Sequence, residues 1–435
     1  MQQGEEGHGK GSLDIGLLPG EIDDLVKKAV FTLDEQVKER YRRTVRQTAQ
    51  SRGAYPASIQ GLYTAAGRGL YTGRTVPAIN IRGITYHVAR AVFRAALKHR
   101  VGAFIFEIAR SEVGYTKQSP AEYAACILAA AVRESFKGPV FIQGDHFQVN
   151  GRKYVTDPIG EVNAIKALAR EAIGAGFFNI DIDASTLVEL DRPTLEEQQE
   201  RNCQVTAEMT QFIRSVEPKG VIVSVGGEIG EVGKKNSTVA DFRAFMAGYL
   251  RRLGPNQQRI SKISIQTGTR HGGVLLPDGS MATVQIDFEA LAQISKVARE
   301  EYGLAGAVQH GASTLPDEAF ELFPRAGTTE VHLATGFQNL IYDSDYFPKE
   351  LSDRVRRHLL EKYAGEKDPK DTEEQFLYKE RKKAFGDFKE EMWSMDPDSL
   401  AGIGLTLENR FSLLFQKLNV VGTADLVSRF VAGPA

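Results

Sequence analysis

The sequence predicts an α/β fold: a TIM (β/α)8 barrel over 76–344. An N-terminal arm, helix and loop occupy 1–75, and a helical C-terminal extension occupies 345–435. Three observations predict it. From Val76 onward, short apolar runs alternate with stretches of helical periodicity. Eight such repeats fill about 260 residues, the usual size of this barrel. Several of the runs also end in an acid or an imidazole, and parallel barrels carry their chemistry at the carboxyl ends of their strands. An open doubly wound sheet rarely places polar groups at so many strand ends.

Residues 1–20 are polar and Gly-rich and predict a mobile arm. Over 21–52 apolar residues recur at helical spacing, with Leu25, Val26, Ala29, Val30, Leu33 and Val37 on one face. The stretch 53–75 is rich in Gly and Tyr and reads as loop or lid. Its Gly67-Arg68-Gly69 lacks the strand–helix setting of a nucleotide loop. The eight strands are expected at 76–81, 102–109, 139–143, 177–183, 220–226, 262–267, 303–309 and 329–335. Helices are expected between them at 87–99, 121–137, 161–175, 194–216, 239–253, 288–301 and 317–326. Beyond Ser344 the strands stop. Helices are expected at 350–363, 373–395 and 405–418, with a charged linker at 365–371. Trp393 and the aromatic run at 411–415 are expected to dock on the barrel or on a partner subunit.

The formal net charge of −2 supplies no field that favours nucleic acid or a membrane surface. Hydrophobic residues at 42% and charged residues at 25% are ordinary for a globular chain. No apolar run reaches membrane-spanning length, and the polar amino terminus does not read as a signal peptide. Cys126 and Cys203 both fall in helical patterns, as reduced thiols of a cytoplasmic protein would.

The third run ends in Gly144-Asp145-His146, and the fourth in Asp181-Ile182-Asp183-Ala184-Ser185. The fifth leads into Glu228-Ile229-Gly230-Glu231, the sixth into Thr269-Arg270-His271-Gly272-Gly273, and the seventh into His310-Gly311-Ala312-Ser313. Taken alone, Asp145 reads as a cap for the next turn. A closed barrel instead points all these groups into one mouth. Three histidines joined by carboxylates, with an open position, suit a catalytic divalent metal, zinc above all. Glycine directly after a histidine lets backbone approach a ligand closely. The N–H groups there, with Ser313 and Thr335, suit an anion nest, and barrels commonly bind phosphate in the loops of their last strands. His332, within the eighth strand, is placed to reach the mouth. His87, His99 and His358 read as structural, and His8 as a bystander in the arm.

These motifs resemble the class II, metal-dependent fructose-bisphosphate aldolase family over 76–343. Val76-Pro77-Ala78-Ile79-Asn80 is similar to its first strand, and Asp145-His146 to its pair of catalytic acid and metal ligand. Ile182-Asp183-Ala184-Ser185, Glu228-Ile229-Gly230, Thr269-Arg270-His271-Gly272 and His310-Gly311-Ala312-Ser313 resemble its later motifs in order. The resemblance implies a metal held by His146, His271 and His310, with Glu228 as an alternative ligand. It implies phosphate contacts from Gly272, Gly311, Ser313 and Thr335, and substrate-side roles for Asn80, Asp183 and His332.

The chain departs from the pattern in four places. Gly233-Lys234-Lys235-Asn236-Ser237 lacks the carboxylate base of the family's loop, Leu276 stands for a lysine, His332 for an asparagine, and Gln143 for a histidine. The expected activity is retro-aldol cleavage of a phosphorylated ketose, or its reverse. A small phosphorylated sugar is the expected partner, and a homo-oligomer (dimer or tetramer) the expected assembly. Two alternatives stand beside it. One is another metal-dependent barrel lyase or hydrolase. The other is a stabilising, non-catalytic subunit, because Gly144-Asp145-His146 and Asp183-Ala184-Ser185 also resemble the larger subunit of tagatose-bisphosphate aldolase.

Overall fold

Alternation within the apolar runs builds the barrel, with one side chain turned to the helices and the next to the barrel axis. The computed structural model describes residues 19–230, 235–268, 275–276 and 285–433. Nine parallel strands are present among them: β1 (Ala54–Ala57), β2 (Val76–Asn80), β3 (Ile105–Ala109), β4 (Gly138–Gln148), β5 (Asn179–Asp183), β6 (Ser224–Glu228), β7 (Lys262–Ile265), β8 (Ala307–Gln309) and β9 (Glu330–Leu333). Strands β2 to β9 form the closed barrel, in the order β4-β3-β2-β9-β8-β7-β6-β5, with β5 returning to β4. The expected eight-stranded barrel is therefore present.

The helices that cover it begin and end where local chemistry directs. Leu195–Val216 and Val239–Leu253 start with reciprocal caps between Thr194 and Glu197 and between Thr238 and Asp241. Pro158–Ala175 has Asp157 at its N-cap, Pro at its first turn and Gly176 at φ +100° after its last turn.

The structure differs from the sequence-based expectation in several elements, among them the helix expected at 405–418, which starts at Pro397, and the strand expected at 303–309, which starts at Ala307. The helix expected at 21–52 is two helices, Pro19–Phe31 and Glu35–Ser51, and Asp34 starts the second by accepting from the N–H groups of Gln36 and Val37. The expected loop at 53–75 holds β1 and the helix Gln60–Gly67. Asn179 ties this segment beneath the barrel: its Oδ1 accepts from Ile59 N at 2.8 Å and its Nδ2 donates to Ile142 O at 3.0 Å. Strand β6 starts at Ser224 rather than 220, because Val223 gives its N–H to Glu217 and its carbonyl to Arg214 instead of to a neighbouring strand. Strand β4 continues past Gly144, where the sequence reading ended it.

The C-terminal extension lies on the barrel. Trp393 stacks on Tyr86 with ring centroids 6.1 Å apart, and Phe411 and Phe415 pack against Phe337 and Phe104. His87, half-buried against Trp393, is pushed down to about 4 by desolvation and is neutral at pH 7. Cys126 and Cys203 are buried free thiols. No helix among the described residues is long and apolar enough to cross a membrane.

Candidate active site

Strand β4 carries a bulge at its carboxyl end. Its pairing with β5 slips between Gly144 and Phe147, and His146 sits in the left-handed region at φ +40°. A Cβ on residue 144 would lie 2.5 Å from the Phe147 ring, so only glycine lets that ring fold back. Bulges of this kind re-aim side chains beside active sites. Here the bulge brings both Asp145 and His146 to one cavity of about 560 Å3, within the range of small-molecule sites.

His146 and His310 converge. His146 Nε2 and His310 Nδ1 are 2.9 Å apart. Their remaining nitrogens are held from behind: His146 Nδ1 lies 3.0 Å from Asp183 Oδ2, and His310 Nε2 lies 2.9 Å from Ser264 Oγ. Glu228 also reaches His146 Nδ1, at 3.2 Å. Ligand atoms of Asp145, His146 and His310 all lie within 4.8 Å of one another. A ligating imidazole characteristically has its other nitrogen fixed by a carboxylate or another hydrogen-bonding group. The donor set therefore fits a divalent cation at His146 Nε2 and His310 Nδ1.

The carboxylates around His146 make this corner of the cavity favour positive charge. Burial works against a charged His146, but the carboxylates of Asp145 and Glu228 and the bond to Asp183 outweigh it and hold the imidazole well above its ordinary range. Burial and the nearby Asp183 push Glu228 up to about 7. Asp183 stays below the usual carboxylate range despite its burial, because His146, Ser185 and Gln148 all donate to it.

Beneath the mouth the barrel interior is charged, where such barrels ordinarily stack branched apolar side chains. Lys262, 1% exposed, places Nζ 2.5 Å from Glu330 Oε1, 2.9 Å from Asp181 Oδ2 and 2.8 Å from Gln143 Oε1. Tyr63, from the helix below, donates to the other oxygen of Glu330. His332 stands between two carboxylate pairs: Nδ1 is 2.9 Å from Glu107 and 3.2 Å from Asp145, and Nε2 is 2.7 Å from Glu330 and 3.8 Å from Asp181. These are close charge contacts rather than aligned hydrogen bonds. Burial and Asp145 push Glu107 up to about 8, and burial carries Asp181 up to about 6 despite Lys262. Glu330 is held down at about 2, because Lys262 and His332 overcome its burial.

Asn80, Asp145, His146, His310, Gly311, Ser313, His332 and Thr335 all line the cavity. Asp183 and Glu228 stand behind His146 rather than in the lining. His271 and Gly272 lie outside the described residues. Gly311 adopts φ +70°, and Ser313 Oγ accepts from Ala334 N at 2.7 Å, which draws the turn after β8 onto the start of the helix Thr335–Tyr342. Asn80 Nδ2 donates to Glu112 at 2.7 Å, while its buried Oδ1 has no hydrogen-bond partner among the described residues.

Sequence reasoning missed Glu107, Lys262, Glu330, Arg82 and Lys382. For Glu330 a signal existed: it lies two residues before His332 on β9, so the two share a face.

A family model described as "Fructose-bisphosphate aldolase class-II" matches residues 59–392, more than half of the chain. No curated protein matches the chain in sequence. Among solved structures, a fructose-bisphosphate aldolase from Campylobacter jejuni is similar at 19% identity and a TM-score of 0.51, covering 85% of this chain and 96% of that one. A probable tagatose 6 phosphate kinase from Sinorhizobium meliloti 1021 is similar at 15% identity and a TM-score of 0.54, covering 82% of this chain and 93% of that one. At these identities the likeness concerns the fold.

Proposed function

The chain belongs to the class-II fructose-bisphosphate aldolase family, and on that premise we propose that it is a metal-dependent aldolase acting on a phosphorylated ketose. The observation that carries this reading is the convergence of His146 Nε2 and His310 Nδ1, with Asp145 beside them and both outer nitrogens held. His146 and His310 would hold the ion, zinc in this reading, with His271 as the third ligand from the sequence and Glu228 as an alternative ligand. When bound, the ion supplies Lewis-acid polarisation of the ketose carbonyl.

The chain's own residues do the rest. Asp145 takes the proton from the C4 hydroxyl in cleavage and returns it in condensation. Its Oδ1 lies 3.2 Å from His332 Nδ1, so the imidazole's charge bears on that carboxylate. Asp183 orients His146. Asn80 Oδ1, buried and lining the cavity, is an acceptor for a substrate hydroxyl. The turn at Gly311 and Ser313 and the start of the helix at Thr335, with Gly272 from the sequence, take the phosphate, where backbone N–H groups and a helix N-terminus favour an anion. The departures at 233–237 and at Leu276 and His332 alter the substrate side more than the metal side. They favour a ketose phosphate other than fructose 1,6-bisphosphate. A cytoplasmic homo-oligomer is part of the same proposal.

The test is a screen of phosphorylated ketoses for release of triose phosphate, run on protein whose metal content is measured by elemental analysis. Cleavage by the metal-bearing protein supports the reading. Metal-bearing protein that cleaves none of them would count against it.

A further inference from the structure

A second cavity, of about 600 Å3, lies at the opposite end of the barrel from the mouth. Its walls are the helix Gln60–Gly67 with Arg68 at its end, the segment 250–261 that leads into β7, and Gly303-Leu304 before β8. It therefore sits at the amino ends of the strands and shares no lining residue with the catalytic cavity. That end of such a barrel ordinarily serves stability. The walls are fixed. A Cβ at Gly67 would lie 2.4 Å from the carbonyl oxygen of Gly303, which seats the helix on that turn. On the opposite wall Tyr249 Oη accepts from Ile260 N at 3.1 Å, and Arg214 Nε donates to Gln258 O at 2.9 Å. A cavity held in this way needs little ordering when a ligand enters.

The lining decides what would enter. Arg68, exposed, and Arg259, half-buried, both line the cavity, and neither forms an ion pair among the described residues. No carboxylate lines it with them. Arginines nearby behave otherwise: Arg214 holds Glu217, Arg243 holds Glu301 and Arg252 holds Glu200. Gln60 is 8% exposed. Its Nε2 donates to Thr64 Oγ1 at 3.1 Å, while its buried Oε1 has no hydrogen-bond partner among the described residues. A buried acceptor left in that state is costly until a donor reaches it. Thr64, having accepted from Gln60, still has its hydroxyl hydrogen to give. Tyr63 offers the cavity only its ring, because its hydroxyl is spent on Glu330. Leu253 and Leu304 add a short apolar wall.

Two arginines without counter-charges suit one acidic group, and the amide oxygen and the Thr64 hydroxyl suit hydroxyls on the same molecule. We propose that this cavity is a binding site for a small hydroxylated anion. Arg68 and Arg259 hold its phosphate or carboxylate, and Gln60 Oε1 takes one of its hydroxyls. The chain then has a ligand site at each end of the barrel. This goes beyond the aldolase reading and does not rest on it.

The test reads the cavity walls directly, so that binding at the mouth does not enter. The full chain is titrated with glycerol 3-phosphate, glycerate and propyl phosphate, and hydrogen–deuterium exchange is followed at 59–68 and 250–261. At least one hydroxylated probe is expected to slow exchange in both segments, half-saturating at a concentration roughly tenfold or more below that of propyl phosphate. Whichever of glycerol 3-phosphate and glycerate acts at the lower concentration identifies the acidic group as phosphate or carboxylate. Arg68→Met and Arg259→Met should each raise that concentration roughly tenfold or more, as loss of a charge-assisted contact does, and the Lys variants should keep most of the affinity. Gln60→Leu should bring the hydroxylated probe to the level of propyl phosphate and leave propyl phosphate unchanged. No slowing by any probe overturns the proposal, as do Arg68→Met and Arg259→Met variants that bind like the parent. Propyl phosphate acting as well as the hydroxylated probes also overturns it, because Gln60 would then take no part.

Discussion

His146 Nε2 and His310 Nδ1 meet at 2.9 Å across the barrel mouth, while Asp183 and Ser264 hold their outer nitrogens. Two residues 164 positions apart are thus pre-set by β4 and the turn after β8. The arrangement predicts that His146→Ala, His271→Ala and His310→Ala each weaken zinc binding strongly in a chelator competition. Asp183→Asn, which removes the carboxylate behind His146, should cost roughly tenfold to a hundredfold. Metal retention like the parent's in all three histidine variants would show the ligand assignment to be wrong.

Asp145 separates chemistry from capping. Asp145→Asn should keep its fold and its metal while turnover drops about a hundredfold or more, since general acid–base catalysis supplies that much. Steady-state kinetics beside thermal unfolding decide the matter. Parallel loss of stability and activity would return Asp145 to the role of a cap.

The charged barrel floor predicts a large stability effect at Lys262. Lys262→Met leaves the buried carboxylates of Glu330 and Asp181 without their shared ammonium. Breaking such a buried pair costs about 3–5 kcal/mol. Urea unfolding of parent and variant measures it, and a change below about 1 kcal/mol would contradict this account of the interior.

Asp387 predicts a pH dependence in the seating of the extension. It accepts from Lys117, His358, Lys362 and Tyr363, and these donors hold its carboxyl far below the usual carboxylate range even though burial opposes them. A carboxyl depressed by folding adds stability above its unfolded value, near 3.9, and that stability is lost as pH falls toward the folded value. Asp387→Asn should therefore cost about 1–3 kcal/mol at pH 7, and the gap to the parent should close progressively below about pH 4. A gap that stays constant down to pH 2 would refute it.

Much of the barrel was legible because strand alternation is local. In Asn179-Ile180-Asp181-Ile182-Asp183 the polar residues fall at every second position and turn inward together. The histidine–carboxylate mouth was legible for the same reason: its members sit at the ends of recognisable runs. Gly144 looks like a strand terminus in the sequence, although β4 runs on to Gln148. The bulge depends on His146 adopting φ +40°, which a sequence does not announce for a histidine. Lys262 and Glu330 were passed over because each opens an apolar run and looks like a boundary, although both are buried. Lys382 was invisible. It lies in a charged helix whose local pattern says only that one face is solvated, and its place at the mouth comes from contacts with residues 100 or more positions away, such as Gln375 with Leu275.

The most direct measurement is a metal titration of turnover. Chelator-treated protein is reloaded with zinc, and triose phosphate release from the best ketose phosphate of the screen is followed against bound metal. The account predicts no turnover in the stripped protein and a linear rise that stops at one ion per chain. Full turnover in the stripped protein would contradict it. So would no turnover with one ion bound, a result that favours the non-catalytic subunit instead.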